Sequence, residues 1–312
     1  MALHEFEFES TSGQDRIQAW IYSPPQPRAI VQIVHGLGEH SRRYLRLISA
    51  FLDAGFVVAA DDHMGHGRTA ALSGHWQDSG TADPDGVIAD EWALTQKVRE
   101  LHPDLPLVLF GHSWGSIIAR GYAAQHGEEL AGLLLGGIAA AQPSFEAVAL
   151  AEIDAAIARD GGDAPAGAFL PTLFEGFLDR YDDVQGPTDW VAADRGVVAD
   201  HASDPLNNFQ AVMTLRFLRN FVGLYREVTP DAWYSSVPTD LPVAVLAGED
   251  DPVGGFGAGP EEVGRKLREA GVEDVMVRVW PGYRHEIHNE PPIRDEVRDQ
   301  LISWIQEHLP AR

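Results

Sequence analysis

Two alternating stretches open the chain. Residues 4–9 (HEFEFE) and 16–22 (RIQAWIY) switch between polar and apolar almost residue by residue, on either side of Ser12 and Gly13. Period-two alternation around a glycine-bearing turn predicts an antiparallel hairpin with one wet face. Past the proline-rich turn at 24–27 the texture changes. Continuous apolar runs occupy 29–35, 56–61, 105–111, 130–136, 241–248 and 275–280. Runs that are apolar on both faces suit the middle of a parallel sheet covered by helices on each side.

Helical spacing fills the gaps. Tyr44, Leu47, Ile48, Phe51 and Leu52 form one stripe; Ile88, Glu91, Trp92, Thr95 and Val98 form a looser one. A last helix over 292–309 puts Val297, Leu301, Trp304 and Ile305 on one face. Strands alternating with helices predict a doubly wound, mostly parallel α/β sheet with right-handed crossovers. The pattern breaks over 140–235, where no strand run is found. Helical stripes are expected there at Leu170, Leu173, Phe174, Phe177 and Leu178, and at Phe209, Val212, Met213, Phe217, Phe221 and Leu224. This division predicts a core of residues 1–139 and 236–312 with a helical cap, 140–235, over one end of the sheet.

Composition narrows the partners. The 312 residues fit one large α/β domain with an inserted piece, and 45% hydrophobic residues give it a packed interior. No cysteine is present, which removes disulfides, thiol nucleophiles and thiolate metal sites. Acidic residues outnumber Lys plus Arg by 47 to 23, a formal charge of −24. Such a field repels nucleic acid and anionic membrane surfaces, and it favours neutral substrates over anionic ones. The first residues carry no secretory pattern, and the apolar run at 130–141 is too short and glycine-rich to span a bilayer. A soluble, cytoplasmic protein without stable membrane insertion is expected.

The chemistry starts at Gly111-His112-Ser113-Trp114-Gly115. An apolar strand run precedes it, and Ile117, Ile118 and Tyr122 continue with helical spacing. That strand–turn–helix context is what a G-x-S-x-G nucleophile elbow requires. A serine hydroxyl needs a base within reach and an acid to orient that base. Glu249-Asp250-Asp251-Pro252 follows the run at 241–248, and Arg284-His285-Glu286-Ile287-His288 follows the run at 275–280. The proline after Asp251 fixes its backbone, a slight preference over Asp250. His285 stands nearer the strand end than His288.

An oxyanion site needs two backbone N–H groups. Trp114 offers one. Leu37, between Gly36 and Gly38 in the loop after 29–35, offers the other. Asp61, Asp62, His63 and His66 form a further cluster, expected to tie a glycine-rich loop together rather than to bind a metal. His285 and His288 are one residue short of the H-E-x-x-H zinc spacing, so neither metal nor cofactor is expected.

Taken together, HGLGEHSRRY, DHMGHGRT, GHSWGS, GEDDPVG and GYRHEIHNE resemble the α/β-hydrolase superfamily. More narrowly they resemble its monoacylglycerol lipase and lysophospholipase-like group, filed with the S33-type serine aminopeptidases. The resemblance runs from about residue 15 to the C-terminus and takes in Asp204-Pro205-Leu206. It implies an α/β-hydrolase fold of about eight strands and a serine esterase; the expected substrate is a small, lipid-like ester of monoacylglycerol or lysophospholipid type, and the acidity of the chain favours a neutral one. Ser113 would be the nucleophile, Asp251 the acid and His285 the base, with Leu37 and Trp114 as oxyanion donors. His35, Gly36, Gly38, Gly111, His112 and Gly115 would be scaffold, and Phe174, Phe177 and Phe217 would line an acyl channel.

Three alternatives stand beside it. A prolyl-type aminopeptidase would hold a substrate ammonium on Glu146, Glu175, Asp179, Asp182 or Asp183. A small-ester carboxylesterase would have a narrower pocket. A non-catalytic receptor would keep the fold alone.

Overall fold

The computed structural model describes residues 2–209 and 211–310. The opening alternation becomes a hairpin, β1 (Ala2–Glu9) and β2 (Arg16–Ser23). Six further strands follow: β3 (Ala29–Val34), β4 (Phe56–Asp62), β5 (Leu107–His112), β6 (Gly132–Gly136), β7 (Val243–Gly248) and β8 (Val275–Trp280). They join into one sheet of order β1-β2-β4-β3-β5-β6-β7-β8. The β1–β2 and β2–β4 pairings are antiparallel and the rest are parallel. Every residue of β3 through β7 is buried, which is why these segments read as unbroken apolar runs.

The helices are α1 (Leu45–Asp53), α2 (Gly67–Ser73), α3 (Gly86–Leu101) and α4 (Trp114–His126), then α5 (Pro143–Ala147), α6 (Leu150–Asp160), α7 (Leu170–Leu173), α8 (Arg195–Ser203), α9 (Leu215–Glu227) and α10 (Asp231–Ser236), and finally α11 (Ala258–Glu269) and α12 (Arg294–Glu307). Phe51 of α1 and Val297, Leu301 and Trp304 of α12 share a core with one face of the sheet. Ile117 and Tyr122 of α4, Ile88 of α3 and Val263 and Leu267 of α11 pack on the other. Because β3, β5, β7 and β8 run parallel, the loops after them emerge at one edge, where an open α/β sheet gathers its chemistry.

Helices α5 to α10 all lie between β6 and β7. Among the described residues the only β-pairing in this stretch is the isolated bridge Pro165–Thr214. Two expected helices differ in extent. The stripe at 170–178 forms a single helical turn, α7, and then a series of turns, with Gly176 at φ +80° leaving the helical region. The stripe at 209–224 turns helical only at Leu215, because the Thr214 side chain accepts the Phe217 N–H at 3.1 Å and caps the helix there. Val212, counted in that stripe, is 63% exposed. Phe209 and Met213 reach apolar contacts from the irregular approach instead.

Candidate active site

Ser113 sits at the sharp corner between β5 and α4, with φ 58° and ψ −121°. This is a sparsely populated backbone region for a residue with a side chain, costing about 1–3 kcal/mol, and it persists only where surroundings impose it. They do. A Cβ on Gly115 would run into the Val34 carbonyl, and one on Gly111 would meet the Gly115 carbonyl. The Ser113 N–H donates to Gly136 O at 3.0 Å, and Ser116 Oγ donates to Ser113 O at 2.6 Å. The two glycines of the pentapeptide are therefore steric necessities of the corner.

Asp251 and His285 meet across the ends of β7 and β8. His285 Nδ1 lies 2.8 Å from Asp251 Oδ2, and both residues are buried. A carboxylate can only accept, so this contact puts a proton on Nδ1 and leaves Nε2 with a free lone pair. Asp251 Oδ1 accepts the Val253 N–H at 2.9 Å. The neighbouring Asp250 contributes backbone instead, its N–H donating to Tyr283 O at 2.9 Å. His288 lies elsewhere, its ring stacked on Tyr44 at 5.0 Å, and burial pushes its pKa down to about 3. Of the candidates Asp250, Asp251, His285 and His288, the side chains of Asp251 and His285 are the pair in hydrogen-bond contact.

The loop after β3 lies directly against the serine. A Cβ on Gly36 would stand 2.9 Å from Ser113 Cβ and 2.7 Å from Glu39 Oε1. Glu39, which the motif reading did not single out, fixes this loop. Its Oε1 accepts Gly36 N–H at 2.6 Å and Tyr44 Oη–H at 2.7 Å, and lies 3.4 Å from His112 Nδ1. Burial opposes a charge on the His112 imidazole, but the Glu39 carboxylate overrides it and raises the pKa. Arg43 spans Glu39 at 3.5 Å and Glu286 at 2.6 Å, so a buried charge network underlies both the Leu37 loop and the histidine loop. Both acids sit inside quoted motifs; their spacing, not their type, hid them. His35 is likewise buried beneath, its ring stacked at 3.7 Å on His63.

Leu37, Ser113, Trp114, Phe174 and Phe177 line one cavity of about 20 Å³, room for about one water molecule. Trp190 completes its wall, and its ring centroid lies 5.0 Å from that of His285. Phe145, Phe209, Phe221 and Val253 also line it. None of these five was anticipated as a wall of the site, because they meet only through tertiary packing. Phe217 does not reach this cavity; it packs behind Trp114, with ring centroids 5.2 Å apart.

A family model described as serine aminopeptidase, S33, matches residues 25–292. The chain belongs to that family. It is 29% identical, over 98% of each chain, to a monoacylglycerol lipase of Mycolicibacterium smegmatis. Among solved structures it is similar to a highly thermostable carboxyl esterase from Bacillus coagulans in complex with glycerol, with TM-score 0.96 and 44% identity over 99% of this chain and 100% of that one. It is equally similar to a lipase in an open form, with TM-score 0.94 and 46% identity over the same shares. The fold is that of the α/β-hydrolases, and this S33 member is a serine ester hydrolase.

None of the acidic residues that an aminopeptidase reading of this S33 chain would use lines the Ser113 cavity. Glu175 and Asp179 line an open cleft of about 500 Å³ beside α5. Asp183 pairs with Arg284 at 2.8 Å and Arg195 at 2.7 Å. Among the described residues no carboxylate lines the Ser113 cavity. Arg284 also donates to Asp189 O at 2.7 Å, and Tyr181 Oη–H donates to Asp250 O at 2.6 Å. Residues 181–189 are thereby fastened to the loops that carry Asp251 and His285.

The cluster in DDHMGHGRT divides in two. Asp62 ties the loop, accepting Ser41 N–H at 2.9 Å and Arg68 N–H at 2.6 Å. Asp61, His63 and Glu91 bring three potential metal-ligand atoms within 4.8 Å of one another, and all three residues are buried. His63 Nδ1 stands 3.1 Å from both Asp61 Oδ1 and Glu91 Oε1. Burial and the Glu91 charge push Asp61 up to about 7. His63 Nε2–H donates to His35 O at 3.2 Å, which ties this histidine to the end of β3. Among the described residues no helix is long and apolar enough to cross a membrane.

Proposed function

We propose that this chain hydrolyses neutral, lipid-like carboxylic esters of monoacylglycerol or lysophospholipid type through an acyl-enzyme on Ser113. The observation that carries the reading is the 2.8 Å His285–Asp251 contact beside a strained serine corner that opens on an apolar cavity. His285 Nε2 takes the Ser113 hydroxyl proton while Oγ attacks the ester carbonyl. The Leu37 and Trp114 N–H groups hold the oxyanion, each worth on the order of 3 kcal/mol of barrier. His285, now cationic and steadied by Asp251, passes its proton to the departing alkoxide as the C–O bond breaks. A water then gives its proton to the same histidine, attacks the acyl carbonyl and releases the acid, returning the proton to Ser113.

Residues 140–235 serve as a cap over this site. The aromatic walls contributed by Phe174, Phe177 and Trp190 favour an acyl chain over a charged amine. With room for about one water, the cavity admits an ester only when part of that cap moves. Treatment with a fluorophosphonate tests the nucleophile: one adduct located on Ser113 by peptide mass supports the reading, and an unmodified Ser113 in folded protein rejects it.

A further inference from the structure

Trp114 and Phe221 are the two residues common to the Ser113 cavity and a second cavity of about 20 Å³. This second space is lined by Met64, Pro84, Val87, Phe217 and Leu224, and extends to the exposed Asp83. The Trp114 indole is 4% exposed and held edge to face against His63 and Phe217, with ring centroids 5.5 and 5.2 Å away, while the His66 ring lies tilted against it at 5.0 Å. Its Nε1–H has no acceptor among the described residues. A buried donor left unpaired is costly, so neither polar bonding nor solvation accounts for the indole; shape does.

We infer that the Trp114 side chain is the partition that determines acyl-chain selection: it closes off a latent acyl site between α3, α4 and α9, and turns the chain of the substrate toward Phe174 and Phe177 instead. The inference rests on the ester-hydrolase reading above and adds to it the residue that sets chain length. The walls of the second space are chiefly apolar, as an alkyl chain requires, and the outward end at Asp83 leaves a long tail free to reach solvent. Each methylene buried there would raise kcat/KM up to about fourfold.

The test compares kcat/KM for p-nitrophenyl laurate and p-nitrophenyl butyrate in the native protein, Trp114→Ala and Trp114→Ala/Val87→Phe. The ratio within one variant cancels any general loss of turnover from a loosened elbow. Trp114→Ala is expected to raise the laurate-to-butyrate ratio at least about tenfold, and Val87→Phe, which refills only the second space, is expected to bring it back. Trp114→Leu serves in place of the alanine variant if that one does not fold. An unchanged ratio in an active variant overturns the inference, as does a raised ratio that Val87→Phe leaves untouched. Loss of the parent reading is separately visible, since native protein would then hydrolyse neither ester.

Discussion

His285 Nδ1 stands 2.8 Å from Asp251 Oδ2, while the adjacent Asp250 meets the same loop only through its backbone, at Tyr283 O. Two neighbouring acids of like chemistry are thus separated by geometry. Asp251→Asn is expected to lower kcat by roughly 10⁴-fold, since an amide donor at that place favours the wrong imidazole tautomer. Asp250→Asn keeps the backbone contact and is expected to remain within about threefold of native activity. Steady-state ester hydrolysis by the two variants checks both; equal losses would contradict the assignment.

Gly36 has no spare room. A methyl group there would sit 2.9 Å from Ser113 Cβ and 2.7 Å from Glu39 Oε1. Gly36→Ala is expected to push the Leu37 amide off its aim and cost on the order of 10²-fold in kcat, with KM changing less. Activity and thermal melting measured together separate this from simple unfolding.

Acid should weaken the fold through its buried imidazoles. Burial holds His288 and His66 at about 3, below the 6.5 of a free histidine. A depressed folded pKa means that the unfolded chain binds more protons as pH drops, so their contribution is complete above about 6.5 and lost as pH falls toward about 3. His288→Gln is therefore expected to melt with a shallower pH dependence than native protein between about pH 7 and about pH 4.5. Parallel melting curves against pH would refute this.

The sheet was legible because its strands are buried on both faces, so 29–35, 56–61 and 241–248 carry apolar residues at nearly every step. The serine corner was legible because Gly111 and Gly115 answer to close carbonyls, a requirement that leaves a mark in sequence. The choice between Asp250 and Asp251 left only a faint mark, the proline after Asp251; the hydrogen bond that favours Asp251 spans 34 residues. The walls of the cavity were least legible. Phe174 and Phe209 come together with ring centroids 5.3 Å apart from two irregular segments, and no period connects them. The helical spacing around Phe209 even misled, because Thr214 starts a new helix inside the apparent stripe.

Hydrolysis of p-nitrophenyl esters from two to sixteen carbons, run with native protein and with Ser113→Ala, tests whether Ser113 is the nucleophile of an ester hydrolase. Native activity is expected to extend to medium or long chains, with a loss of at least about 10⁴-fold in the variant at every length. Ester turnover surviving in folded Ser113→Ala, or native protein inert toward the whole series, would contradict it.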